Sequence, residues 1–335
     1  MKAAVVKQKG GSLVIENRPL PEPGEGEVRV KVHACGICHS DLFVMEGIWP
    51  GLKFPRVPGH EIAGVADAVG GGVHRIQPGA RVGVGWYGGH CGECAACLEG
   101  DFILCERGLI TAIHSDGGYA EYMIARAQAI APIPEGISFA EAAPLLCAGV
   151  TTFNSLRHSG ARAGDLVAVH GVGGLGHLGV QFARAMGFRV VAIARGEEKA
   201  ALAKKLGAHD YLDSTKGNAA QALQQMGGAR VILFTAVSGQ AASEMVQGLG
   251  RNGCLVVLSG APDPMTVKPG VLIGNRRRIQ GWPSGQASDS ADTLRFAAQT
   301  GIRPMIETFP LDQANTAYQH MMAGKARFRA VLQPS

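Results

Sequence analysis

The chain has 335 residues, of which 46% are hydrophobic and 18% charged. That length suits about two domains, and that balance supports a sizeable core and excludes global disorder. The formal net charge is +5, but the only basic triplet, Arg276-Arg277-Arg278, reads as a solvated turn, so nucleic acid is not an expected partner.

Met1–Lys7 has no apolar h-region and no cleavage site, and no apolar run approaches the roughly 20 residues of a membrane span. A soluble cytoplasmic protein with no membrane partner is the expectation. The 48 glycines follow no collagen-like period, which announces tight turns and close backbone approaches. Eight cysteines in a chain without a secretory signal favour metal over disulfides.

In chain order, Ala3–Val6 and Val28–Val32 are strand candidates, the second alternating valines with Arg29 and Lys31. Cys35-Gly36-Ile37-Cys38 follows. Its spacing fits half a zinc knuckle, a thiol redox pair, or one ligand beside a bystander. Pro58-Gly59-His60-Glu61 adds an imidazole and a carboxylate, and Zn²⁺ accepts thiolate and imidazole together. Asp41 is a candidate to orient His60, because ligating imidazoles usually donate their other N–H to a carboxylate. Ile62–Val69 and Val82–Val84 read as strands of an irregular barrel-like domain. Cys91-x2-Cys94-x2-Cys97-x7-Cys105 then brings four thiols into one short segment. A four-thiolate shell is closed and has no open position, so this site is expected to be structural.

Gly117–Tyr122 reads as a return to strand. Ser138 and Glu141 form a capping box for a helix over 140–146 that leads to Cys147, with Pro144 predicting a break or kink just before it. From Asp165 the pattern changes. Asp165–His170 is a short buried strand, Gly171-Val172-Gly173-Gly174-Leu175-Gly176 follows at once, and a helical run reaches Met186. Arg189–Ala194 completes a βαβ unit of the length a dinucleotide-binding fingerprint needs. There the pyrophosphate sits on a helix N-terminus with free N–H groups and a positive dipole end. Strands at Asp210–Asp213, Arg230–Thr235, Cys254–Ser259 and Ile279–Trp282 alternate with helices near 197–206, 216–226 and 239–249, which is a doubly wound parallel sheet. A helix near 288–300 leads into a tail, Leu311–Leu332, too short to be a domain and expected to pack on the N-terminal half.

An NAD-binding unit places an acid at the end of its second strand. Here that position is Ala194, followed by Arg195. Loss of the carboxylate removes repulsion of a 2′-phosphate and the guanidinium supplies charge-assisted contacts, so NADP is the preferred cofactor, with NAD possible if Arg195 is merely solvated.

Cys35–Asp41, Gly59-His60-Glu61, the four cysteines from 91 to 105, Leu146–Thr151 and Gly171–Gly176, in this order, resemble the zinc-dependent alcohol dehydrogenases of the medium-chain dehydrogenase/reductase superfamily. The resemblance spans essentially the whole chain. It implies an α/β plus β fold. A GroES-like irregular β-barrel catalytic domain would cover 1–148, with a structural zinc lobe near 88–108. A Rossmann domain would cover 149–285, and 286–335 would return to the catalytic domain. It implies two zinc ions per chain: Cys38, His60 and Cys147 at the catalytic ion, with Glu61 exchanging against water or substrate, and Cys91, Cys94, Cys97 and Cys105 at the structural one. Cys35 becomes a bystander. Ser40 falls where a hydroxyl meets the substrate oxygen, His39 and Arg329 where the cofactor phosphates are contacted, and Thr151 where the nicotinamide packs. Trp49 and Trp86 fall at the alcohol pocket, or are plain core. Phe43 replaces the relay histidine of many relatives, and Ala194-Arg195 points to aldehyde-reducing branches similar to cinnamyl alcohol dehydrogenases. The implied activity is reversible hydride transfer between a primary alcohol or aldehyde and the nicotinamide, in a homodimer or homotetramer. The alternatives are a secondary-alcohol or polyol dehydrogenase, and a non-catalytic nucleotide-binding zinc protein.

Overall fold

The computed structural model describes residues 1–334. Two compact units form: Met1–Val150 together with the chain from Ser284 onward, and Thr151–Pro283. None of the helices among the described residues is long and apolar enough to cross a membrane.

The first unit is an irregular barrel-like arrangement around one seven-stranded sheet. Its main path runs Ile306–Pro310, Arg329–Gln333, Glu27–Gly36, Ile62–Val69, Arg81–Val84, Ile130–Pro132, and Tyr122–Arg126 pairs with Glu27–Gly36 off that path. Glu27–Gly36 organises the sheet. Val28, Val30 and Val32 are buried and Lys31 is exposed, as alternation requires. Beyond Ala34 the burial becomes continuous, so this end of the strand is covered on both faces. Two register shifts against Ile62–Val69, at Arg29/Val30 and Val32/Ala34, break the regularity of the pairing.

The C-terminal tail returns to this sheet. Arg329–Gln333 lies antiparallel to Glu27–Gly36, with Val331 opposite Gly36 and Leu332 opposite Cys35, and parallel to Ile306–Pro310. Two local expectations need correction. Gly117–Glu121 is not strand, which starts at Tyr122. The N–H groups of Gly117, Gly118 and Tyr119 bond instead to the carbonyls of Val57, Gly59 and Pro58, so this segment is tied to the loop before His60. Pro144 does not break the helix. Phe139–Pro144 widens into a π-turn over Leu145–Gly149 and continues as Val150–Arg157. Such a turn re-registers the hydrogen bonds around a residue with no N–H, and π-turns recur at functional sites.

The start of that helix is fixed twice. Phe139 is stacked on the His33 ring (4.6 Å between centroids) and lies under the Arg81 guanidinium (4.3 Å). The Ser138–Glu141 capping box is formed, with Ser138 N donating to Glu141 Oε2 at 3.0 Å.

The second unit is a six-stranded parallel sheet in the order Asp210–Asp213, Arg189–Ala194, Leu166–His170, Ala229–Phe234, Leu249–Val257, Arg278–Gly281. The two central strands are apolar throughout their interiors: Val167, Ala168, Val169, Val231, Ile232 and Leu233 are fully buried, the pattern of a sheet with helices on both faces. This is the doubly wound Rossmann arrangement.

Ser138→Ala removes the cap of the helix that carries Cys147. The expected cost is about 1 kcal/mol, read as a lower denaturant midpoint, with Ser138→Asp close to wild type. An unchanged midpoint for the alanine variant contradicts the assigned role of the box.

Candidate active site and cofactor turn

Four side chains from three stretches of the first unit converge. Cys38 caps the His39–Asp41 turn just after the Glu27–Gly36 strand, His60 and Glu61 precede Ile62–Val69, and Cys147 sits in the π-turn. Their ligand atoms all lie within 4.8 Å of one another. The Cys38 and Cys147 sulfurs are 3.8 Å apart. Two thiolates about 2.3 Å from a tetrahedral ion stand roughly 3.8 Å from each other, so the spacing is that of a zinc pair. The Cys147–Cys38 hydrogen bond holds Cys38 well below the usual thiol range and pushes Cys147 well above it, so the pair shares one proton that a cation would release. His60 Nε2 and Glu61 Oε2 are buried without a partner. Two orphaned donor atoms beside two thiols are what a bound cation would satisfy. The residues fit zinc.

The supporting groups are as specific as the ligands. Asp41 is fully buried and accepts hydrogen bonds at Oδ2 from Cys38 N (2.8 Å) and Tyr119 Oη (2.7 Å). Its Oδ1 stands 3.2 Å from His60 Nδ1. The proton is thus drawn to Nδ1 and Nε2 is left with its lone pair. Burial opposes charge on His60, yet the Asp41 carboxylate raises its pKa well above the usual value. Glu61 is also fully buried and pairs with Arg329. Burial pushes its pKa up to about 8 against the opposing pull of Arg329. Gly36 makes room for it, since a Cβ there would lie 1.9 Å from Glu61 Oε2. Glycine within Cys35-Gly36-Ile37-Cys38 is therefore set by the carboxylate. Cys35, fully buried with its thiol pushed well up by that burial, is outside the ligand cluster.

Trp86 stands edge-on to the His60 ring at 4.9 Å and to Trp49 at 5.9 Å, and Phe43 packs edge-on against both tryptophans. Phe43 thus belongs to an aromatic wall beside the ligand cluster. Ser40 is half-buried and His39 exposed, in a single 3₁₀ turn that follows Cys38.

The second cluster gathers Cys91, Cys94, Cys97 and Cys105. Its sulfurs are 3.5 Å apart for Cys91–Cys105, 3.8 Å for Cys94–Cys105 and 3.9 Å for Cys91–Cys97. A backbone N–H at Glu93 lowers the Cys91 pKa to about 6, while burial pushes Cys97 up to about 12. Four sulfurs at tetrahedral spacing, with no carboxylate or imidazole among them, suit a closed structural ion.

In the second unit the glycine-rich turn lies between Leu166–His170 and the helix Gly176–Ala185. Gly171 has φ +98°, and a Cβ there would meet Thr235 Oγ1 at 2.6 Å. A Cβ on Gly176 would lie 1.7 Å from the Gly171 carbonyl oxygen, whereas one on Gly173 would meet nothing within 4 Å. The first and last glycines close the turn and the middle one faces open space, where a phosphate can approach the backbone. The helix has no side-chain cap and no acid in its first turn. Gly174 and Leu175 complete the turn, and Thr151 is buried near the start of Val150–Arg157. Ala194 is buried at the strand end and Arg195 is exposed. The loop after it is pinned, with Gly196 N donating to Asp213 Oδ1 at 2.9 Å and Glu197 paired to Lys216 at 2.8 Å.

Two roles escaped sequence reasoning. Tyr119, which completes Asp41, sits in a loop with no periodicity to mark it. Arg329, expected at the cofactor phosphates, also pairs with Glu61 in the interior, a contact across the chain's two ends that no local pattern encodes.

Arg329→Met removes the cation beside Glu61, whose pKa is already up to about 8, so its effect is read at alkaline pH, where Glu61 is ionised in the wild type. It is expected to destabilise the first unit by about 3–5 kcal/mol, and the double variant Arg329→Met/Glu61→Gln to recover much of that loss in denaturant unfolding. A double variant as unstable as the single one would show that packing, not charge, is the cause.

Residues 24–135 match the alcohol dehydrogenase GroES-like domain and residues 174–299 match the zinc-binding dehydrogenase domain. The chain is 46% identical over 332 residues to alcohol dehydrogenase notN of Aspergillus sp. (strain MF297-2), covering 99% of this chain and 97% of that one. Among solved structures it is similar to cinnamyl alcohol dehydrogenase SbCAD4 of Sorghum bicolor, with TM-score 0.89 and 29% identity over 99% of this chain and 97% of that one. It is also similar to CAD from Helicobacter pylori, complexed with NADP(H), with TM-score 0.87 and 28% identity over 99% and 97%. An open Cys-His-Cys cluster, a four-cysteine lobe and a glycine turn at a parallel sheet thus meet a full-length likeness, and the chain belongs to the zinc-type alcohol dehydrogenases of the medium-chain dehydrogenase/reductase superfamily, oxidoreductases acting on CH–OH donors.

Proposed function

We propose that the protein interconverts a primary alcohol and its aldehyde with NADP(H), using two zinc ions per chain. The observation that carries the catalytic part is the orphaned His60 Nε2 beside the Cys38–Cys147 pair. When bound there, zinc supplies Lewis-acid polarisation of the substrate oxygen. Cys38, His60 and Cys147 hold it, and two thiolates balance its charge. Asp41 keeps the His60 proton on Nδ1, and Tyr119 and Cys38 N hold Asp41 in place. Glu61, anchored by Arg329, would offer the ion a carboxylate at the position that water or substrate would otherwise take. Ser40 Oγ accepts the alcohol proton as it hands its own to a cofactor ribose hydroxyl, which passes one on to water, Phe43 standing where a relay histidine would be. Trp49, Trp86 and Phe43 form an apolar wall that excludes water from the substrate carbon.

Gly171, Gly173, Gly174, Leu175 and Gly176 bind the pyrophosphate, and Thr151 packs on the nicotinamide. His39 reaches a phosphate, and Arg329, whose Nε has no partner, serves Glu61 and a phosphate together. The NADP reading is supported by Ala194 in the acid's place and by Arg195, exposed on a loop held by Asp213 and Tyr211. The Helicobacter pylori relative, solved with NADP(H), is consistent with it. A homodimer or homotetramer is the expected assembly.

Metal analysis is expected to give two zinc ions per chain. Cys38→Ala and His60→Ala should abolish turnover while cofactor binding, followed by NADPH fluorescence, persists. Wild-type-like activity in either variant refutes the ligand assignment. Arg195→Ala should lower kcat/KM with NADPH by about ten- to a hundredfold and leave NADH use nearly unchanged, the scale of one charged hydrogen bond. A wild type that prefers NADH sinks the cofactor reading. A panel of primary, secondary and polyol substrates tests the alcohol class.

A further inference from the structure

A cavity of about 580 Å³ lies in the first unit, and none of the eight metal ligands lines it. It is bounded by the turn at Arg18–Pro21, by Leu109–Asp116, and by the outward side of Tyr122–Arg126. Its volume is within the range of ordinary small-molecule sites.

The polar groups at its wall divide into those already engaged and those still free. Asp116 is engaged by Arg18 (3.0 Å), by Arg56 and by Val57 N (3.0 Å). Glu27 accepts from Gly24 N at 3.0 Å. Arg18 is held by Asp116 and Glu16. His114 Nδ1 accepts from Ile110 N at 2.9 Å, so in the neutral ring the proton resides on Nε2, which is a donor. Arg126, at the end of its strand and opposite Glu27, has no side-chain ion pair or hydrogen bond among the described residues. The groups that remain are the Arg126 guanidinium, the His114 Nε2 donor and the second oxygen of Glu27, which faces Arg126 in the strand pairing. The floor between them is apolar, formed by Leu109, Ile110 and Ile124, all half-buried.

A planar guanidinium with free N–H groups matches a carboxylate in bidentate fashion, and an apolar floor matches a hydrocarbon or aryl body. We propose that this cavity is a second ligand site, separate from the catalytic centre, for an amphiphilic carboxylate, with Arg126 taking the charged end and the Leu109–Ile110–Ile124 surface taking the apolar body.

Calorimetric titration of the zinc-loaded enzyme with 2-naphthoate, and with 2-naphthamide as its uncharged match, tests the proposal. The acid should bind about tenfold or more tightly than the amide, the scale of one charge-assisted contact. Arg126→Gln should bring the acid down to the level of the amide, and Ile124→Trp, which fills the floor, should abolish binding of both. Alcohol turnover should stay within about twofold of wild type in Arg126→Gln, because the residue touches no part of the catalytic cluster. Equal binding of acid and amide, unchanged affinity in Arg126→Gln, or displacement of the acid by saturating alcohol and cofactor would each overturn the proposal. The last outcome would assign the binding to the catalytic zinc. No binding up to the solubility limit overturns it as well, and Arg126→Gln needs no drastic repacking, so a folding failure of Ile124→Trp leaves the test intact.

Discussion

The buried carboxylate of Asp41 is the contact on which the rest of the catalytic unit depends. An isolated carboxylate in the interior is strongly unfavourable unless its oxygens are bonded. Here one oxygen takes the Cys38 amide and the Tyr119 hydroxyl, and the other faces His60. Those three partners come from the turn after the central strand, from the Gly117–Tyr119 loop and from the loop before Ile62. Satisfying one charge therefore fixes where Cys38 and His60 sit and which nitrogen of His60 is free. The same need explains why Gly117–Tyr119 bonds to residues 57–59 rather than joining the sheet.

A second buried pair works in the same manner at larger range. Glu61 is fully buried, and Arg329 reaches it because the C-terminal strand docks beside Glu27–Gly36. The tail is thus part of the catalytic unit for an electrostatic reason as well as a packing one. Glu61 and Arg329 are fully desolvated, so their geometry is far less sensitive to salt than the surface pairs around them. The open space beside Gly36, kept by the absence of a side chain, lets the carboxylate lie near the thiols without displacing them.

The cofactor-binding unit follows simpler rules. Its central strands are apolar on both faces, its order reverses at Leu166–His170, and the glycine turn opens at the carboxyl end of that strand. Each of these follows from local composition. The position that bears on the proposed cofactor preference, Ala194-Arg195 at the end of the second strand, is local too.

Two units, the parallel sheet, the glycine turn and the two clusters of potential metal ligands were legible in the amino-acid order alone. These are encoded by short-range spacing: cysteines two residues apart, a strand followed at once by Gly171–Gly176, and a capping box before Cys147. Periodicity also located most strands to within a few residues, although the strand expected as Cys254–Ser259 begins at Leu249. Only the tertiary structure decided that Pro144 feeds a π-turn, that Tyr119 completes Asp41, and that Arg329 holds Glu61. The physical reason is of two kinds. For Tyr119 and Arg329 it is a buried charge whose partner is remote in the chain, needed only once folding has removed the water, and for Pro144 it is the register of hydrogen bonds within the turn that follows it.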